Sequence, residues 1–214
     1  HRDLHSFPTR RSSDLLECKK DINCIVDMLN EIEELAERSN YVISHLEVDG
    51  EKVFDDFQSY FSKNIDDIKK VKVITKTPIE LARDLILYMG DVIDELLLEV
   101  NIIANNFRKN LTKDALSGLV NLFGGIKWVL DTFVGLDSEK EIKHMVVDYK
   151  LWNEFAKDCY CLREIMVEIQ DILMNDDDNY LPEVLSDEIA PLLEDMNDKL
   201  DALVDRKVDL NKLN

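Results

Sequence analysis

Thr77-Pro78-Ile79-Glu80, running on into Leu81-Ala82-Arg83-Asp84-Leu85-Ile86-Leu87-Tyr88-Met89, is the stretch from which the fold is read. Thr followed three residues later by Glu is a capping box, in which each side chain satisfies a backbone amide that the first helical turn leaves without a partner. Pro at the first helical position has no amide to waste and a φ already suited to the helix. Downstream, Ala82, Leu85, Met89, Val92, Leu96, Val100, Ile103 and Phe107 recur at intervals of three and four. That period predicts a long helix from the box to about Arg108.

Toward the C-terminus, Thr112 is placed to cap a further helix through Phe133, and Ser138-Glu139-Lys140-Glu141 repeats the capping-box pattern ahead of a helix to Leu173. The acidic loop Asn175 to Asn179 ends it. A last helix carries Pro191, which predicts a kink or break near Ile189 because proline lacks the amide and crowds the preceding turn. Toward the N-terminus, Ile22, Ile25, Leu29, Ile32, Ala36, Ile43 and Leu46 give one helical stripe, Asp49-Gly50 a turn, and Val53, Phe54, Phe57, Phe61, Ile65 and Ile68 a second. Lys69 to Lys76 is β-branched and Lys-rich, but one short run without a pairing partner makes no sheet, so it reads as a connector. The expected fold is all-α, about six helices in antiparallel hairpins, with a hairpin and connector over 15–76 and a bundle over 77–214. The turns at Gly50, Thr112 and Asp177 are almost evenly spaced, as three related hairpins would be.

The chain has 214 residues, with 26 Lys and Arg against 45 Asp and Glu, a formal charge of −19. Such a field repels polyphosphate, so a nucleic-acid partner is not expected. At 45% hydrophobic it is no disordered acidic tail. The longest uninterrupted apolar run, Leu85 to Gly90, is far short of the roughly 20 residues that span a bilayer, so no membrane segment is expected. Cys18, Cys24, Cys159 and Cys161 show neither C-x-x-C spacing nor the density of a secreted scaffold, and a cytoplasmic location is the expectation. Residues 1–14, His-Arg-Asp-Leu-His-Ser-Phe-Pro-Thr-Arg-Arg-Ser-Ser-Asp, are basic and without apolar period; they resemble the in-frame translation of a sequencing adapter and are set aside from the fold.

Reactive constellations are sparse. Glu141 and His144 share a helix face at the spacing of a di-iron ligand pair, but such a site needs two of these pairs and two further carboxylates, and His45 has Val42 where the second Glu belongs. In the acidic loop, aligning Asn175, Asp177 and Asn179 as calcium ligands puts Tyr180 where glycine is required and Ser186 where a bidentate Glu belongs. Cys159 and Cys161 lie on opposite sides of one helix and read as packing residues. Lys69, Lys70, Lys72 and Lys76 read as cations at a helix C-terminus, with an anion grip as the alternative. No motif for a nucleotide, a catalytic triad or a cofactor occurs, and no catalytic, cofactor or metal residue is assigned. The informative departure is Leu87, Leu98 and Ile102, which lie opposite the main stripe of the long helix: a helix apolar on two sides is central in a bundle or holds a partner. Gly118, Gly124 and Gly125 allow close approach of a neighbouring helix.

Two signatures in the second half are similar to a known family. Gly125-Ile126-Lys127-Trp128, and Val184-Leu185-Ser186-Asp187-Glu188-Ile189-Ala190-Pro191, resemble an uncharacterised all-helical bacterial domain of Gram-positive anaerobes over residues 85–196. That domain shows Gly-x-x-Trp and then Leu-Glu-Tyr-Glu-x-x-Pro; this chain departs from it at Ser186 and Asp187. The resemblance implies a helical fold and brings no activity with it. The functional expectation is a cytosolic, non-enzymatic adaptor or chaperone-like protein. Leu87, Leu98 and Ile102 would meet an unknown protein partner, a helix or a basic protein, with no cofactor, nucleic acid or membrane involved. A carboxylate-based enzyme or metal-binding bundle, and an acidic nucleic-acid mimic, are the alternatives.

Overall fold

A computed structural model describes residues 21–109, 113–140, 142–175 and 180–204. The chain divides into two compact units, one ending at Lys76 and the other beginning at Thr77.

In the first unit, α1 (Ile22–Arg38) is capped by Asp21, whose carboxylate accepts the amide of Asn23 at 2.8 Å. The helix stops before Ile43. Asn40 turns the chain with φ 58, and the amide of Tyr41 donates to the Ala36 carbonyl. Strand β1 (Val42–Val48) follows, then a two-residue turn in which Asp49 (φ 50) and Gly50 (φ 100) are both left-handed, as the twist of a tight hairpin demands. Strand β2 (Glu51–Val53), helix α2 (Phe57–Asn64) and strand β3 (Val71–Lys76) complete the unit. The sheet is antiparallel in the order β2-β1-β3, with Leu46 opposite both Val53 and Val73. Leu46, Val48 and Phe61 form its core, against Ile22, Ile25 and Leu29 of α1 and Val71 and Val73 of β3.

The all-α expectation is therefore corrected for this unit, and with it the notion of three related helical hairpins. Ile43 and Leu46 are three residues apart and so prolong the helical stripe of α1 on paper. Leu46 and Val48, however, alternate with His45 and Glu47 at the period of a strand, and the β-branched Lys69 to Lys76 run supplies the partner. The Lys-rich stretch is β3 and its lead-in, not a helix terminus. Asp49 accepts the amides of Lys69 and Lys70 at 3.0 and 2.8 Å, and Lys72 bridges to Glu47 at 3.1 Å. The second helix, expected over Val53 to Ile68, contracts to α2, where Asp56 (φ 44) accepts the amide of Ser59.

Every regular element among the described residues of the second unit is a helix. It comprises α3 (Pro78–Lys109), α4 (Lys113–Asp137), α5 (Ile142–Met145), α6 (Tyr149–Met174), α7 (Leu181–Glu183) and α8 (Ala190–Val204), with a π-helical turn at Val184–Ile189 joining the last two. The capping box at Thr77 is made: its amide donates to Glu80 Oε2 at 2.9 Å, and the Glu80 amide donates to Thr77 Oγ1 at 3.2 Å. Helices α3 and α4 run antiparallel, Gly118 facing Ile103 and Gly125 facing Leu96. Helix α8 and the π turn return along α3, tied by Arg108 to Ser186 Oγ (2.9 Å) and by Asn197 to Asp94 (2.6 Å). Phe133 of α4 meets Trp152, Phe155 and Tyr160 of α6 at centroid distances of 5.6 to 6.2 Å. The fully buried Trp152 donates its indole N–H to Asp137 at 2.9 Å, so the polar edge of the largest core side chain is satisfied.

Two helix boundaries differ from expectation. Ser138 does not open a helix; its hydroxyl donates back to the Val134 carbonyl at 2.7 Å, closing α4. The long helix starts instead at α6, where Asp148 accepts the amides of Lys150 and Leu151. At Pro191 the chain neither breaks nor needs the missing amide, because the wider π turn ahead of it absorbs the mismatch. Residues 1–14, Thr112, Glu141 and Asp176 to Asn179 lie outside the described residues.

Candidate partner-binding surface

Of the three residues that sequence reasoning places on a partner face, Leu98 is 74% and Ile102 60% exposed, while Leu87 is half-buried and packs on the core. The two exposed side chains sit one turn apart on the outer side of α3. Leu87 does not join them as a free contact.

A second apolar surface lies between α4 and α6. Along α4, Leu116, Val120 and Phe123 are spaced i, i+4, i+7 and share one stripe. Along the antiparallel α6, Met166, Gln170, Leu173 and Met174 form the facing stripe. Between them is a cleft of about 380 Å³ lined by Phe123, Met166, Gln170, Leu173 and Met174. Met174, in its lining, is 70% exposed, and Val120, one turn before Phe123 on α4, is 69% exposed. Methionine is unbranched and polarizable, and surfaces rich in it adapt to apolar side chains of differing shape. The signal was present in the sequence as an α4 apolar on both sides; of the described helices it is also the one long and apolar enough, by length and composition, to cross a membrane. Its inner face, Leu119, Leu122, Ile126, Val129, Phe133 and Leu136, is buried in the helical core.

The reactive candidates are placed apart. His144 is exposed on the short α5. Cys159 is buried and Cys161 exposed, on opposite sides of α6. Burial, with Asp158 and Asp137 nearby, pushes the Cys159 thiol far above the range where it would ionise. Burial also opposes the charge of Lys199, but its hydrogen bonds to Asp158 (2.5 Å) and Asp195 (2.6 Å) outweigh that and raise its pKa. This is a structural clamp between α6 and α8. Among the described residues no three His, Cys, Asp or Glu side chains gather as a metal site would need.

The architecture is thus a small αββαβ unit followed by a helical unit that carries an apolar cleft between α4 and α6. The chain belongs to the family of the domain of unknown function DUF8042, whose model matches residues 84–199, just over half of its length. Residues 20–77 match the model of the TP0873 N-terminal domain. No curated protein and no solved structure matches.

Proposed function

We propose that the protein is a cytosolic, non-enzymatic adaptor that seats an amphipathic helix of a partner protein in the α4–α6 groove. The observation that carries this reading is the open cleft that Phe123 of α4 shares with Met166, Leu173 and Met174 of α6, next to the exposed Val120 one turn before Phe123. A helix laid into such a groove buries its own apolar face, and i, i+3, i+4, i+7 anchors fit a channel bounded by two helices. A chain of charge −19 favours a partner with Lys or Arg on the polar face of that helix. No observation favours a carboxylate-based enzyme or a nucleic-acid mimic over this reading. We also take the domain to be bacterial and residues 1–14 to be foreign to it, on the signatures and the translated adapter quoted above.

The test uses an 18-residue Leu/Lys amphipathic helical peptide as probe. Val120→Glu combined with Met174→Glu, both at exposed positions, is expected to weaken binding at least tenfold. Leu98→Glu combined with Ile102→Glu is expected to leave it within twofold. Equal binding by both variants and the parent protein would remove the groove from the account.

A further inference from the structure

A second groove, of different character, lies in the first unit. Strand β1 spans Val42–Val48, and β3 pairs with it from Val42 to Val48 with a register shift between Ile43 and His45 that leaves Ser44 unmatched, but β2 reaches only Leu46, Glu47 and Val48. After Val53 the chain turns away through Phe54 to α2. On the β2 side, the first residues of β1, Val42 to Ser44, therefore present strand edge with no neighbouring strand among the described residues. A cleft of about 440 Å³ runs along this edge between β1, α1 and the start of α2.

Its lining is graded. Leu29, Ile43 and Phe57 provide an apolar floor, while Glu33 and Glu37, at i and i+4 on α1, stand on the rim with Asp56. All the charged residues lining the cleft are carboxylates. Tyr41 and Phe54, the latter 64% exposed, flank it as aromatic walls.

We propose that this cleft receives an extended, basic peptide segment of a partner protein, which adds as a strand to the free edge of β1. An unpaired strand edge offers main-chain donors and acceptors at the spacing of another strand, which a helix cannot match because its own groups are paired internally. Side chains on an added strand point the same way every second residue, about 7 Å apart. An inward apolar residue then meets Leu29 and Phe57, and an inward Lys or Arg two positions along meets Glu33 and Glu37, with the aromatic faces of Tyr41 and Phe54 favouring the cation. The recognised pattern is apolar-x-basic in extended form. This site is independent of the α4–α6 groove and of the helical partner proposed for it.

The experiment titrates the full chain, labelled with nitrogen-15, with a capped octapeptide alternating Lys and Val. The expected result is a shift of the Val42 to Ser44 amides and at least a tenfold slowing of their hydrogen exchange at saturation. Glu33→Lys with Glu37→Lys, both exposed on α1, should weaken binding at least tenfold while leaving the β1 resonances of the free protein in place. An octapeptide alternating Glu and Val should not bind. Three results would overturn the proposal: no shift at millimolar peptide, shifts confined to α4 and α6, or equal binding by the charge-reversed variant. Equal binding by a Lys/Ala helical peptide of the same charge, without protection of Val42 to Ser44, would overturn it as well.

Discussion

His45 of β1 is 7% exposed, with the ring of Phe54 against it at a centroid distance of 5.1 Å. Ser44 Oγ lies 3.2 Å from its Nδ1, and its Nε2 is buried without a hydrogen-bond partner. Burial disfavours the charged ring, Lys52, Lys76 and Lys72 add to the effect, Glu47 opposes it, and the net result is a pKa below the usual 6.5. The unfolded chain therefore takes up a proton at higher pH than the folded one. Stability contributed by the neutral ring is present above pH 6.5 and is lost as pH falls through the lowered folded value. The urea midpoint of the first unit, followed at the β1 amides, should decline as pH falls below 6.5, and His45→Gln should flatten that decline. An unchanged slope in the variant would show that other groups set it.

At the scale of elements, the two glycines on α4 that look equivalent in sequence have opposite surroundings. A Cβ on Gly124 would meet open space; one on Gly125 would come within 2.6 Å of a methyl carbon of Leu96, which is itself buried. Gly124→Ala is expected to stabilise by about 0.5–1 kcal/mol through helix preference alone. Gly125→Ala gains the same preference but overpacks the core, and a net loss of about 1–2 kcal/mol in urea denaturation is expected. If both variants stabilise, Leu96 relaxes freely and the close α3–α4 approach is not fixed by this glycine. The same contrast marks what the sequence could reveal. Helices α3, α4 and α6 were legible because each carries an apolar period over many turns, and the box at Thr77 names its own start. Strand β1 was hidden because Ile43 and Leu46 continue the spacing of α1, and β3, correctly read as β-branched, then had no partner to pair with. The π turn was legible only as trouble near Pro191. The α4–α6 groove was legible only as an α4 apolar on both sides: Val120 and Leu122 are equally apolar in sequence, and only the placement of the neighbouring helices decides that one is exposed and the other buried.

The whole molecule carries far more negative charge than its ion pairs can use. Arg38–Glu34 and Lys127–Asp131 join exposed side chains one turn apart, an arrangement worth at most a few tenths of a kcal/mol. Lys199, held by Asp158 and Asp195 and mostly buried, is the better shielded contact and responds little to salt. What remains is the mutual repulsion of a surface at −19, most of it on the second unit and acting over distances that a Debye length of about 10 Å at 0.1 M cuts short. Raising sodium chloride from 10 to 300 mM therefore weakens the net repulsion more than the exposed attractions, and the thermal midpoint should rise. Potassium chloride should act equally, since screening depends on ionic strength and not on the identity of the cation. A midpoint that stays level or falls would mean that attractive pairs outweigh the net charge. A rise with magnesium chloride well beyond that of sodium chloride at equal ionic strength would instead point to a divalent cation bound by the carboxylates.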